Sequence, residues 1–244
     1  MERGKIMAEI LLTIENLNCG YLILNEYEAV LTGAGLAIHK GEIIGLSGRS
    51  GSGKSTVAMA IMGLLEDTGG QIRGGRILYK GSPLQDMEKI RGKEISLVFQ
   101  NPSLALNPLV KIGKQLKRCC PVDELATVIQ AVGLEKEVGL KDKYPHQLSI
   151  GMCQRITIAM AIGCKPALLI LDEPTASLDQ ENKIKIAELL LEINSKFGTS
   201  MLITTHDEDF LIRMGCKNYL LTADKIIEKQ VKNGEQFIGG ISTE

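Results

Sequence analysis

At 244 residues with 44% hydrophobic side chains, the chain is long enough for one large α/β domain with a modest inserted segment. Twenty-eight basic residues against 29 acidic give a formal net charge of −1, so there is no broad electrostatic case for nucleic acid or an anionic membrane. Aromatic residues make up 4% and Trp is absent, which removes the usual base-stacking platforms.

The N-terminal run MERGKIMAEILLTIENL is charged and then alternating, without the apolar core of a secretory leader. No apolar run approaches the roughly 20 residues of a membrane-spanning helix. Six cysteines (Cys19, Cys119, Cys120, Cys153, Cys164, Cys216) form no C-x-x-C pair and are predicted to be free thiols in a reducing compartment. A soft-metal site at adjacent Cys119 and Cys120 is the weaker alternative.

Alternation predicts an edge or half-buried strand over Ile10 to Leu17, followed by a polar stretch through Asn25, Glu26 and Glu28. GLAIHKGEIIGLSG reads as strand, Lys40-Gly41 turn, strand. TVAMAIMGLL is an apolar helix, EDTGGQIRGG a glycine-rich connection, and RILYKGSPL a short strand ended by Gly81 and Pro83. Glu94 to Gln100 is a buried strand. From Asn101 the character changes: two Asn-Pro turns precede helical spacing of Leu109, Ile112 and Leu116, and a further helix over Val122 to Val132. Residues 101–164 are therefore expected to be a mainly helical insertion. Ala167 to Asp172 returns to a strand. QENKIKIAELLLEINSKFG is a helix stopped at Gly198, SMLITTHD a strand ending at His206, and HDEDFLIRMG a helix. NYLLT and KIIEK are terminal strands. Strand–helix alternation of this kind predicts a largely parallel sheet covered by helices.

Between the strand EIIGLS and the helix TVAMAIMGLL lies GRSGSGKST, Gly48 to Thr56. Gly48, Gly53, Lys54 and Ser55 satisfy the phosphate-loop pattern G-x-x-x-x-G-K-[ST], with Ser50, Gly51, Ser52 and Thr56 completing the run. Glycines let the backbone curl around phosphate oxygens, and N–H groups at a helix N-terminus present partial positive charge to them. Lys54 then reaches the β- and γ-phosphates and Ser55 ligates Mg²⁺. Asp172, at the carboxyl end of a strand, can hold the Mg²⁺ shell, and Glu173 can orient or deprotonate an attacking water. The bland readings are a Gly/Ser-rich turn and an acidic turn cap; strand and helix in register weigh against the first, and the phosphate loop upstream weighs against the second.

The order of Gly48–Thr56, Gln100, LSIGMCQR (Leu148–Arg155), LLILDEP, SLD (Ser177–Asp179) and TTHD (Thr204–Asp207) resembles an ATP-binding cassette ATPase over nearly the whole chain. The resemblance implies an α/β P-loop NTPase (RecA-like) core over 1–100 and 165–244 with a mostly parallel sheet. It also implies an N-terminal antiparallel β portion and a helical signature subdomain over 101–164. Implied too are ATP and Mg²⁺ as ligands and ATP hydrolysis as the activity. Gln100 matches a glutamine that touches Mg²⁺ and the attacking water. His206 matches a histidine that contacts the γ-phosphate and buttresses Glu173. Asp179 matches a residue at a dimer interface and also reads as a helix N-cap. Tyr21, with Tyr27 as its rival, matches an aromatic stacked on adenine.

Ser149 and Gly151 match the signature that completes the site of a second subunit. Ile150 departs from that pattern, where the family carries Gly. Met152 stands for Gln, as it commonly does in one branch. FQNPSLALNP and YPHQLSIGMCQR resemble the dipeptide, oligopeptide and nickel importer branch. Its implied partners are a second, often different, cassette subunit, two transmembrane permease subunits and an extracytoplasmic solute-binding protein, with no nucleic acid. The implied location is the cytoplasmic face of the cell membrane. No cysteine-bearing extension follows KIIEK, which tilts the expectation toward nickel or metal chelates. The rival class is a soluble cassette ATPase acting on DNA or ribosomes; its coiled-coil insertion or tandem cassettes with basic linkers are not seen in the sequence.

Overall fold

The computed structural model describes residues 9–222, 225–232 and 235–238. β1 (Ile10–Ile23) and β2 (Glu26–His39) form a long antiparallel hairpin turning at Leu24 and Asn25. β3 (Ile43–Ser47) leads through the glycine loop into α1 (Lys54–Ile61). A single 3₁₀ turn precedes β4 (Gly70–Tyr79) and the short β5 (Ser82–Pro83). α2 (Met87–Ile90) and β6 (Ile95–Val98) follow. The helical stretch holds α3 (Pro102–Ala105), α4 (Ile112–Cys119), α5 (Leu125–Ala131) and α6 (Ile150–Ile162). β7 (Leu168–Asp172), α7 (Gln180–Phe197), β8 (Ser200–Thr205) and α8 (Glu208–Met214) restore the alternation. β9 (Lys217–Leu221), β10 (Ile226–Lys232) and β11 (Glu235–Ile238) come last.

Two sheets result. The first is antiparallel, in the order β2-β1-β4-β5; the second has seven strands in the order β11-β10-β9-β3-β8-β7-β6. From β9 to β6 the second sheet is parallel, and the β9–β10–β11 edge is antiparallel. β7 and β8 are buried at every residue, as a strand covered on both faces must be. Leu169 and Leu171 of β7 pack with Ile112, Leu116, Val128, Ile156 and Ile162 of the helical stretch. The alternate residues Leu168 and Ile170 pack with Val57 and Ile61 of α1 and Leu31 and Ile38 of β2. Period-two alternation along one strand thus divides the interior into two cores. No helix among the described residues is long and apolar enough to cross a membrane.

Several local expectations are corrected. β1 is interior, paired on both sides, because Leu12, Ile14, Leu17 and Cys19 are all buried. The polar stretch is the start of β2, whose Glu26 and Glu28 are exposed while Leu31, Leu36 and Ile38 are buried. β2 and β3 flank the Lys40-Gly41 turn but join different sheets. Hydrogen bonds from Gly41 N to Ser200 Oγ (2.8 Å) and from Asn194 Nδ2 to Gly41 O (2.9 Å) fasten that turn to β8 and α7. The supposed glycine-rich connection belongs largely to β4, whose Gly70 and Gln71 pair with Tyr21 and Gly20. β11 had no counterpart in the sequence reading.

Gly20 marks the tightest crossing of the hairpin. A Cβ there would lie 2.0 Å from the Glu28 carbonyl oxygen and 2.9 Å from Ala29 Cα. Both obstacles are backbone, so Gly20→Ala is expected to cost about 1–3 kcal/mol. Urea unfolding with an unchanged slope reads this out; a midpoint equal to the parent would show that the hairpin opens without strain.

Candidate active site

The loop between β3 and α1 is built by glycines that other elements press upon. Gly53 lies at φ 99° and caps α1, and a Cβ there would come 2.6 Å from Val30 Cγ1 of β2. A Cβ on Gly48 would meet Ser52 Oγ at 2.6 Å and the Leu221 carbonyl oxygen at 2.8 Å. No larger residue fits either place without moving a strand.

Lys54 opens α1 with its ammonium folded back onto the loop. Nζ donates to the Gly48 carbonyl at 2.9 Å and the Arg49 carbonyl at 3.1 Å, and lies 3.3 Å from Glu173 Oε1. Lys54 is 6% exposed and Glu173 8%, so this is a buried pair, held by hydrogen bonds rather than by water. Glu173 follows directly after β7 with φ 48°, an uncommon backbone state for a residue with a side chain. Its N–H donates to the Thr204 carbonyl at 2.8 Å, which holds that turn in place. The second oxygen, Oε2, lies 2.9 Å from His206 Nδ1 and 3.4 Å from His206 N. One carboxylate therefore spans a buried cation and a partly exposed imidazole. Residues held in such sparsely populated backbone states cluster at active sites and ligand clamps.

Asp172 pairs in register with Thr204 across β7 and β8, and Thr204 Oγ1 donates to Asp172 Oδ1 at 2.5 Å. Thr204 is the partner that sequence reasoning missed. Its signal lay in the strand period, since Thr204 and His206 fall two apart at the end of one strand. Tyr21 of β1 brings its hydroxyl to 3.5 Å from Thr56 Oγ1. Val30 was also missed, having only the alternation of an aliphatic strand to announce it. A cavity of about 430 Å³ gathers Tyr21, Val30, Ser50, Gly51, Gly53, Lys54, Ser55, Thr56, Gln100, Glu173 and His206. Gly48, Ser52 and Asp172 are not part of that lining.

The donor set fits a phosphate ester with a hard divalent cation. Ser55, Gln100 and Asp172 offer oxygens of the kind Mg²⁺ prefers, and a cation sits beside them in Lys54. Ser52 Oγ is buried with no hydrogen-bond partner in the loop itself. Ser149 and Gly151 do not join this cavity. Ser149 Oγ caps α6 by accepting from Met152 N at 3.2 Å, and Gly151 lies against Asn182, where a Cβ would meet Oδ1 at 3.2 Å. Ile150 is the first residue of α6 and half exposed. Tyr27 is placed under the Arg73 guanidinium, 3.5 Å from its ring centre, and does not line the cavity. All six cysteines are free thiols, and no cluster of three or more metal-ligating His, Cys, Asp or Glu occurs among the described residues.

Residues 31–176 match the family model described as ABC transporter. The chain is 38% identical over 212 residues to the oligopeptide transport ATP-binding protein AppD of Bacillus subtilis, covering 81% of this chain and 65% of that protein. It is 34% identical over 236 residues to the oligopeptide transport ATP-binding protein OppD of Lactococcus lactis, covering 91% of this chain and 70% of that one. The chain thus spans about two thirds of the length of these relatives, 65% and 70%. A dimeric post-hydrolysis structure of the ATP-binding cassette MJ0796, bound to ADP and Pi, superposes with a TM-score of 0.75 at 26% identity, covering 88% of this chain and 96% of that one.

Any phosphate entering the loop competes with Glu173 Oε1 for Lys54. Removing the carboxylate charge removes the competitor, and a charge-assisted hydrogen bond contributes about 1.5–3 kcal/mol. Glu173→Gln is therefore expected to tighten binding of a fluorescent ATP analogue about tenfold or more. Titration of the purified variant measures it; equal or weaker affinity would mean the pair does not oppose the ligand.

Proposed function

The chain belongs to the ABC transporter family through its ATPase domain, and from that membership we propose that it hydrolyses ATP to drive uptake of peptides through permease partners. The observation that carries the reading is the chain Lys54–Glu173–His206 beside the glycine loop, in which one acid spans a cation and an imidazole. Lys54 and the loop N–H groups bind the β- and γ-phosphates. Ser55, Gln100 and Asp172 would hold Mg²⁺, which when bound neutralises charge developing on the phosphate oxygens. Glu173, once Lys54 turns to phosphate, has Oε1 available for the proton of the attacking water. His206 keeps the other oxygen fixed, and Tyr21 offers its ring to the base.

Assembly follows from the same geometry. Ser149 presents a capped helix start outside the cavity of its own chain, as expected if it completes the site of a second cassette. The proposed complex holds two such cassettes, two permeases and an extracytoplasmic solute-binding protein, with this chain on the cytoplasmic face of the membrane. A groove of about 480 Å³ reaching Phe99, next to Gln100, is lined by apolar Met62, Leu97 and Met160 and by the cations Arg91, Lys93 and Arg118, and offers a seat for a permease segment. AppD and OppD, both named for oligopeptides, favour peptide over nickel or a metal chelate. No observation favours the soluble DNA or ribosome class.

Lys54→Ala is expected to abolish tight ATP binding, because it removes the cation that meets the phosphates. Glu173→Gln, with its tighter nucleotide binding, is expected to lower hydrolysis at least about 100-fold and to favour an ATP-bound dimer on size exclusion. Unchanged affinity in the first, or parent turnover in the second, would sink the assignment.

Ile150 generates a separate expectation. A β-branched residue at the first position of α6 crowds the approach to that helix start. Ile150→Gly is therefore expected to speed the site built by the partner's phosphate loop, by less than about tenfold because Ser149 and Gly151 already serve it. Rates in a heterodimer whose other site is disabled give the answer; no gain would mean that the isoleucine is tolerated.

A further inference from the structure

His206 is held from a direction that hydrolysis chemistry alone does not require. Asp207, the next residue, caps α8 by accepting from Phe210 N at 3.0 Å, and its N–H donates to Thr205 Oγ1 at 3.0 Å. Its other carboxylate oxygen meets Lys183 Nζ of α7 at 2.5 Å. The pair is shielded, with side chains 27% and 15% exposed, in a cleft of about 120 Å³ lined also by Gln180, Ile184, Asp209, Phe210 and Arg213. Burial works against the charge on Asp207, but the Lys183 ammonium and the Phe210 N–H outweigh it and hold the carboxyl below its usual range. Lys183 lies one turn from Asp179, whose carbonyl accepts its N–H at 3.0 Å and whose side chain caps α7 through Asn182 N at 2.8 Å.

From this arrangement we propose that Lys183 is a positioning residue for His206, tying the first turn of α7 to the segment that aims the imidazole at Glu173. Both groups that approach Glu173 Oε2, the ring Nδ1 and the backbone N, come from His206. A small rotation of residues 205–207 therefore moves both at once. The Asp207 cap fixes α8 to that segment, and apolar packing of Ile186 and Leu190 with Phe210 and Met214 holds α7 beside α8 without directing the segment itself. The Lys183 link adds a directional polar tie at residue 207, and it runs from the turn at Asp179 that the proposed dimer brings to its partner. The inference rests on the ATP-hydrolysis reading above.

The test uses the full chain with three substitutions. Lys183→Met is expected to lower kcat about tenfold while KM, nucleotide affinity and melting temperature stay near the parent, the pattern of lost aim rather than lost binding. Lys183→Arg, whose guanidinium reaches the same carboxylate, is expected to restore most of kcat. Nitrogen-15 NMR of the imidazoles reads the same link without turnover, with His206→Gln assigning the signal. Lys183→Met is expected to shift the His206 Nδ1 resonance and Lys183→Arg to leave it in place. Parent kcat and an unmoved resonance in Lys183→Met would overturn the proposal, as would a joint fall in kcat, affinity and melting temperature. A parent chain that does not hydrolyse ATP even when assembled with a second cassette sinks the ATPase reading, while the resonance still decides whether Lys183 positions His206.

Discussion

The buried ammonium of Lys54 is the constraint from which the site follows. A cation removed from water needs acceptors, and two loop carbonyls with one carboxylate oxygen meet that need. The carboxylate belongs to Glu173, which reaches inward only because its backbone takes a left-handed turn directly after β7. That turn is held by the Thr204 carbonyl, so the register of β7 against β8 becomes part of the electrostatics. The same register sets Thr204 against Asp172 and leaves His206 just beyond the strand end, facing Glu173. Four groups that an ATPase needs are thus located by one parallel strand pair and one charge.

Opposed to this rigid pair is the helical stretch. Its residues Ile112, Leu116, Ile156 and Ile162 belong to the same apolar cluster as Leu169 and Leu171 of the sheet. Motion of these helices therefore works against a shared interior, not across an open cleft. Gln100 stands at the entrance to that stretch, exposed beyond the end of β6 and lining the cavity.

The chemistry was legible in the sequence where it depends on local order. Gly48 to Thr56 needs only a strand before it and a helix after it. The helix start at Asp179 is fixed by a side chain that caps the turn following it. What could not be read was partnership between distant strands. Alternation over Ile10 to Leu17 is the same for an edge strand and for the interior strand it proves to be. The Lys40-Gly41 turn looks like a hairpin until Ser200 and Asn194, remote in sequence, are seen to hold it. Gly70, Gly74 and Gly75 conceal β4 because they signal turns, although here the strand draws close to β1. Lys183 carries no motif at all; its role depends on where Asp207 arrives.

The order of synthesis puts a limit on when the phosphate site can exist. β3, which delivers the loop, lies between β8 and β9, so both its neighbours come from residues 200–221. Gly48 and Gly53 are also pressed by Leu221 from the end of that stretch. A nascent chain emerging from the ribosome with residues 1–100 complete has the entire sequence motif and none of its flanking strands. The strand EIIGLS therefore waits for both of its sheet neighbours through about another hundred residues of translation. Long-range pairing of this sort leaves a hydrophobic strand without its neighbours for seconds at ordinary elongation rates.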